Sequence, residues 1–207
     1  MVREVATPHG PARITVRRPQ PGAGGHSRVR AALLLGHGAG GGLAAPDLVA
    51  ATEEALAAGL LVVGVEQPYR VAGRRNVAPT DQLDAAWLAV VADVRASLHD
   101  GPLVFGGRSS GARVACRTAG PGGAVAVLCL AFPLHPPGRP ERTRLPELAA
   151  PEVPVLVVQG ARDAFGVPEA APGRELVLLR GDHSLKADRP LLRATVAQWL
   201  ARVVPAG

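Results

Sequence analysis

Apolar and polar positions alternate between two periods along this chain. Ala12 to Val16 and Val29 to Leu35 are apolar runs, parted by a Pro/Gly stretch from Pro19 to Ser27 that reads as a loop. Asp47 to Ala58 has a helical pattern, with Pro46 ahead of it and Gly59 as a stop signal. Leu60 to Val65 reads as a buried strand. From Thr80 the period changes again. Leu83, Trp87, Val90, Val91, Val94 and Leu98 recur at three- and four-residue steps, which predicts one apolar helix face. Leu103 to Gly106, Ala124 to Leu130, Val153 to Gln159 and Glu175 to Leu179 predict four further strands. A short helix through Thr118 and a terminal helix from Pro190 to Val203 lie among and after them, the latter burying Leu192, Val196, Trp199 and Leu200.

Continuously apolar strands separated by helices imply a mostly parallel central sheet with helices on both faces, an α/β fold. Residues 1–207 read as a single domain without internal repeats. Phe132 to Pro151 is the irregular region. Pro133, Pro136, Pro137, Pro140 and Pro146 argue against a helical lid after the strand that precedes it, and this predicts an open site.

Composition narrows the classes. The chain is 47% hydrophobic and 19% charged, enough for a packed core. No apolar stretch approaches the roughly 20 residues that span a bilayer, and the first residues lack the apolar segment of a secretory signal. The expectation is a cytoplasmic protein without a membrane partner. The formal charge of +6 rests almost wholly on scattered arginines, Lys186 being the sole lysine, and no aromatic residues interleave with them. That pattern argues against nucleic acid. Cys116 and Cys129 have no metal or redox spacing and read as buried thiols. No cluster has metal-ligand spacing.

Chemistry enters in three segments. Gly107-Arg108-Ser109-Ser110-Gly111 follows one strand, Asp163 follows another, and His183 follows the last. Serine, acid and histidine in that order match the nucleophile-elbow arrangement of α/β-hydrolases. Serine at its ordinary pKa needs a base within reach, so Ser109 is the candidate nucleophile, His183 the base, and Asp163 the group that holds the imidazole tautomer. Asp182 is a rival acid, disfavoured because adjacent side chains point apart. Gly36-His37-Gly38-Ala39-Gly40-Gly41, after an earlier strand, would supply an oxyanion-hole N–H from Ala39, with Gly40 in reserve, partnered by Ser110 N–H. His37 would orient that loop or, with Gly40 and His135, line the substrate site. His9, His26 and His99 carry no signal. The same glycines also fit a dinucleotide loop, with Glu66 as a ribose-binding acid. That alternative leaves Ser109, Asp163 and His183 unexplained.

Four longer segments, Gly106 to Arg113, Pro133 to Pro140, Gln159 to Gly166 and Gly181 to Ser184, together resemble a small α/β-hydrolase-like family related to dienelactone hydrolases. That family includes a testis-expressed protein and a subunit of the non-specific-lethal histone acetyltransferase complex. The resemblance runs from about Ala31 to the end. It implies a lidless α/β-hydrolase fold and a triad of Ser109, Asp163 and His183. It departs from the pattern at Ala164, where a proline is expected, and from dienelactone hydrolases at Ser109, where those enzymes have cysteine. The expected activity is hydrolysis of a small-molecule ester or thioester with no cofactor. The alternative is a silent hydrolase-fold binding or scaffold protein, as the eukaryotic relatives suggest. Nothing in the sequence speaks to oligomeric state.

Overall fold

The computed structural model describes residues 1–23 and 29–204; His26 and the end of the Pro19 to Ser27 loop lie outside them. Eight strands form one sheet: β1 (Val2–Val5), β2 (Ala12–Arg17), β3 (Ala32–Gly36), β4 (Leu61–Glu66), β5 (Leu103–Arg108), β6 (Ala124–Leu130), β7 (Val155–Gly160) and β8 (Arg174–Leu179). Their spatial order is β1-β2-β4-β3-β5-β6-β7-β8. β1 and β2 are antiparallel and β2 runs antiparallel to β4; every other pairing is parallel. The helices are α1 (Pro46–Ala57), α2 (Pro68–Val71), α3 (Thr80–Ser97), α4 (Ser110–Gly122), α5 (Leu145–Ala149) and α6 (Arg189–Val203).

Strand alternation divides the interior in two. Phe105, Val127, Cys129 and Val157 face the side covered by α3 and α4, where Trp87 and Val114 complete the core. Val104, Leu128, Leu130 and Val158 face the side covered by α1 and α6, with Leu48, Leu192 and Trp199. Trp87 meets Phe105 edge-on, ring centroids 5.6 Å apart at 82°, a favoured geometry for aromatic pairs.

The expected strands form with ends shifted by a residue or two, except that residues 29–31 lie outside β3. β1, α2 and α5 were not legible. β1 is four residues with two charges, held by its pairing to β2. α2 is a single turn after Pro68. α4 runs past Thr118 through Pro121, which sits in its last turn, and ends at Gly123 in the left-handed conformation (φ 64°). Between β6 and β7 the chain is irregular apart from five-residue α5, and no cap is built there. Among the described residues no helix is long and apolar enough to cross a membrane.

Candidate active site

All three candidate residues sit at the C-terminal edge of the parallel strands, where open α/β sheets bind ligands. Ser109 follows β5 directly and adopts φ 54°, ψ −110°. For a residue with a β-carbon this left-handed conformation costs on the order of 1–3 kcal/mol and persists only when neighbours hold it. Here Ser109 N–H donates to Leu130 O at 2.9 Å and Arg113 N–H donates to Ser109 O at 3.2 Å. The flanking glycines are required by close approach. A β-carbon on Gly107 would stand 2.6 Å from Gly111 C, and one on Gly111 would stand 2.4 Å from Gly36 O. The elbow is wedged against the end of β3.

The acid and the histidine meet. His183 Nδ1 lies 2.7 Å from Asp163 Oδ2, whose side chain is wholly buried. The acid is held from three sides. Phe165 N–H donates to its Oδ1 at 2.8 Å, and the Gln159 amide donates to its Oδ2 at 2.8 Å and to the carbonyls of Phe132 and Gly166. The Phe165 ring lies against the imidazole, centroids 4.3 Å apart. With Nδ1 bonded to the carboxylate, Nε2 is the nitrogen left for chemistry. Among the described residues no hydrogen bond joins it to the Ser109 hydroxyl. In unliganded sites such bonds are often long and tighten with substrate.

Arg108 links the halves. Its Nη2 donates to His183 O at 2.9 Å, and its Nε stands 2.9 Å from Asp47 Oδ2, a fully buried carboxylate near the start of α1. Burial pushes the Asp47 carboxyl up and Arg108 pulls it back. A β-carbon on Gly38 would stand 3.1 Å from Arg108 Nη1 and 3.6 Å from Ser109 Cβ. The glycine-rich loop therefore lies against the elbow. Ala39 is half-buried and Gly40 exposed on it, and Ser110 opens α4, where the first N–H groups lack helical partners.

His37 is 3% exposed with both ring nitrogens engaged. Gln67 N–H donates to Nε2 at 3.1 Å, so Nδ1 carries the proton and donates to Gly38 O at 2.8 Å. No ring nitrogen is left for a substrate. His135 is half-buried beside the acid loop, its N–H donating to Phe165 O at 2.9 Å and its Nδ1 2.9 Å from Pro136 O.

The family described as α/β-hydrolase domain matches residues 29–204. The chain belongs to that family. This α/β-hydrolase domain also resembles solved structures over its whole length. A lidless α/β serine hydrolase from Xanthomonas campestris shares 21% identity at a TM-score of 0.81, with 100% of this chain and 96% of that one covered. An esterase from Pyrococcus furiosus shares 14% identity at 0.75, covering 99% and 93%. A dienelactone hydrolase from Anabaena variabilis shares 16% at 0.74, covering 99% and 98%. No curated protein matches by sequence.

Two rival readings lose their footing in the α/β-hydrolase domain. Asp182 is exposed and accepts from Ser184 N–H and Oγ at 2.9 and 2.6 Å, which lowers its pKa and turns it away from His183. Glu66 stands 3.8 Å from Arg13 on the antiparallel β2. The start of α1, where a pyrophosphate would bind a dinucleotide fold, is occupied by the buried Asp47 carboxylate. His99 is half-buried at the end of α3, its pKa lowered by that burial. Sequence reasoning missed Gln159, Arg108, Asp47 and Phe165 as site residues. A glutamine ending the run Val155 to Val158 was the available signal, because an amide in an apolar strand needs partners.

Proposed function

We propose that this α/β-hydrolase domain is a serine hydrolase acting on a small-molecule ester or thioester. The observation that carries this reading is the buried Asp163–His183 hydrogen bond, tethered through Arg108 to the strained residue Ser109. Ser109 Oγ attacks the substrate carbonyl carbon while His183 Nε2 takes its proton. Asp163 stabilises the imidazolium. The carbonyl oxygen, now negative, accepts from the N–H groups of Ala39 and Ser110, with Gly40 in reserve. Collapse passes the proton from His183 to the leaving oxygen or sulfur and leaves an acyl ester on Ser109. Water, deprotonated by the same imidazole, then releases the acid. No step draws on a cofactor. His37 positions the oxyanion loop and His135 braces the acid loop. Residence in the cytoplasm, a single domain over 1–207, and kinship with the testis-expressed and non-specific-lethal branch belong to the same proposal.

The second reading is a scaffold that keeps the fold without the reaction; the missing Ser109–His183 hydrogen bond favours it. Labelling by a fluorophosphonate, read by intact mass, decides between them. A stoichiometric adduct on the wild type, absent from Ser109→Ala and slowed at least about a hundredfold in His183→Ala, is expected for an activated serine. A folded wild type that stays unlabelled selects the scaffold.

A further inference from the structure

Asp47 is a wholly buried carboxylate that the proposed reaction does not use. It lies in the first turn of α1, where its Oδ1 accepts from Leu48 N–H at 3.0 Å and its Oδ2 pairs with Arg108 Nε at 2.9 Å. A buried ion pair is a weak source of stability, because both partners must first leave water. The worth of this one lies in what the guanidinium is aimed at. Its Nη2 donates to the main-chain carbonyl of His183 at 2.9 Å.

Sheet order shows why the histidine needs that bond. His183 follows β8, which lies three places from β5, with β6 and β7 between. At about 4.8 Å per strand, the histidine loop leaves the sheet roughly 14 Å from the elbow. Asp163 follows β7, so its bond to Nδ1 fixes the ring to a strand two places away from β5. Arg108 adjoins Ser109 in the chain and closes the remaining distance. Among the described residues, the Nη2 bond to His183 O is the one hydrogen bond between residues 181–188 and the elbow.

We propose that Arg108 is a positioning residue that holds the His183 imidazole within reach of Ser109, and that Asp47 is the buried anchor that aims it. This rests on the serine hydrolase reading. The guanidinium uses separate nitrogens of one rigid fork, Nε on the carboxylate and Nη2 on the carbonyl. An ammonium is a single point of charge on a flexible stem and does not fix the two partners relative to each other. Because Arg108 acts on the base rather than on the substrate, its loss falls on kcat and leaves KM in place.

The test follows fluorophosphonate labelling and turnover of para-nitrophenyl acetate in Arg108→Ala. Labelling should slow by about a hundredfold, the scale of a misplaced base, and kcat should fall with KM unchanged. In NMR the downfield Nδ1 proton of His183 should exchange with water at least about tenfold faster. Guanidinium chloride far below denaturing concentration should restore most of the labelling rate, and sodium chloride should not. Adding Asp47→Asn to Arg108→Ala should abolish that rescue. Arg117→Gln, which breaks the pairs to Asp84 and Glu147, controls for lost stability alone and should label at the wild-type rate. A wild type and Arg108→Ala that label equally fast, or a slowing that guanidinium does not relieve, overturns the positioning role and leaves the hydrolase reading standing. A folded wild type that stays unlabelled ends the hydrolase reading alone. Proton exchange then decides: faster in Arg108→Ala supports the positioning role, and unchanged overturns it. Should the orphaned Asp47 carboxylate unfold Arg108→Ala, the double variant with Asp47→Asn carries the labelling and exchange measurements.

Discussion

Gln159 places an amide where β7 otherwise carries hydrocarbon. Its Nε2 serves Asp163 Oδ2, Phe132 O and Gly166 O, all within 3.0 Å. Losing it would take a donor from the Phe132 and Gly166 carbonyls and leave Asp163 Oδ2 with His183 alone, at about 1–3 kcal/mol for each buried acceptor left unsatisfied. His37 has the corresponding task in the glycine-rich loop, and its cost can be read in solution. Burial and Arg70 lower its pKa from 6.5, while the Gly38 carbonyl and Glu66 act in the opposite sense. The folded state thus resists the proton that the unfolded chain accepts. The contribution of His37 to stability is complete above 6.5 and is lost as the pH falls below that value toward the lowered folded pKa. Urea midpoints taken from roughly pH 8 to pH 5 should fall, and His37→Gln should flatten the decline. His99, lowered by burial as well, supplies a separate share, which His99→Gln removes.

At the scale of elements, each catalytic candidate depends on a loop that another loop presses upon. A β-carbon on Gly160 would stand 2.2 Å from Asp182 O, so Gly160→Ala must push the segment carrying His183 away from Asp163. We expect a folded protein whose downfield Nδ1 proton signal is lost in NMR and whose fluorophosphonate labelling slows by at least about tenfold. These contacts also explain what the sequence made legible. Ser109, Asp163 and His183 were visible because each is a chemically marked residue directly after an apolar run. Gln159, Arg108, Asp47 and Phe165 were not, because their partners are main-chain carbonyls or residues up to 75 positions away, as between Arg108 and His183. β1 escaped because its structure comes from pairing rather than pattern. His37 stands out in the sequence as a residue of the glycine-rich loop, but its burial and its bond to Gln67 N–H, 30 residues on, follow only from the packing of α2 beside β4.

Across the whole molecule, two cores on opposite faces bear differently on the site. Trp87 supports β3 and the elbow; a β-carbon on Gly36 would stand 3.3 Å from its ring. Trp199 packs between α6 and the far face. Trp87→Ala and Trp199→Ala should each cost about 3–5 kcal/mol in chemical denaturation. Only Trp87→Ala should also slow fluorophosphonate labelling measured well below the melting temperature. Among the described residues, several arginines are tied to acids on neighbouring helices. Arg113 and Arg117 join α4 to Glu147 on α5 and Asp84 on α3, and Arg193 joins α6 to Glu53 and Glu54 on α1. Between α4 and β6, Cys116 and Cys129 bring their sulfurs within 3.4 Å, both buried and both reduced. Neither thiol can meet a reagent in solution until the elbow helix lifts from the sheet. The rate at which the native protein consumes a disulfide reagent is therefore a clock for that opening, and it needs no introduced label.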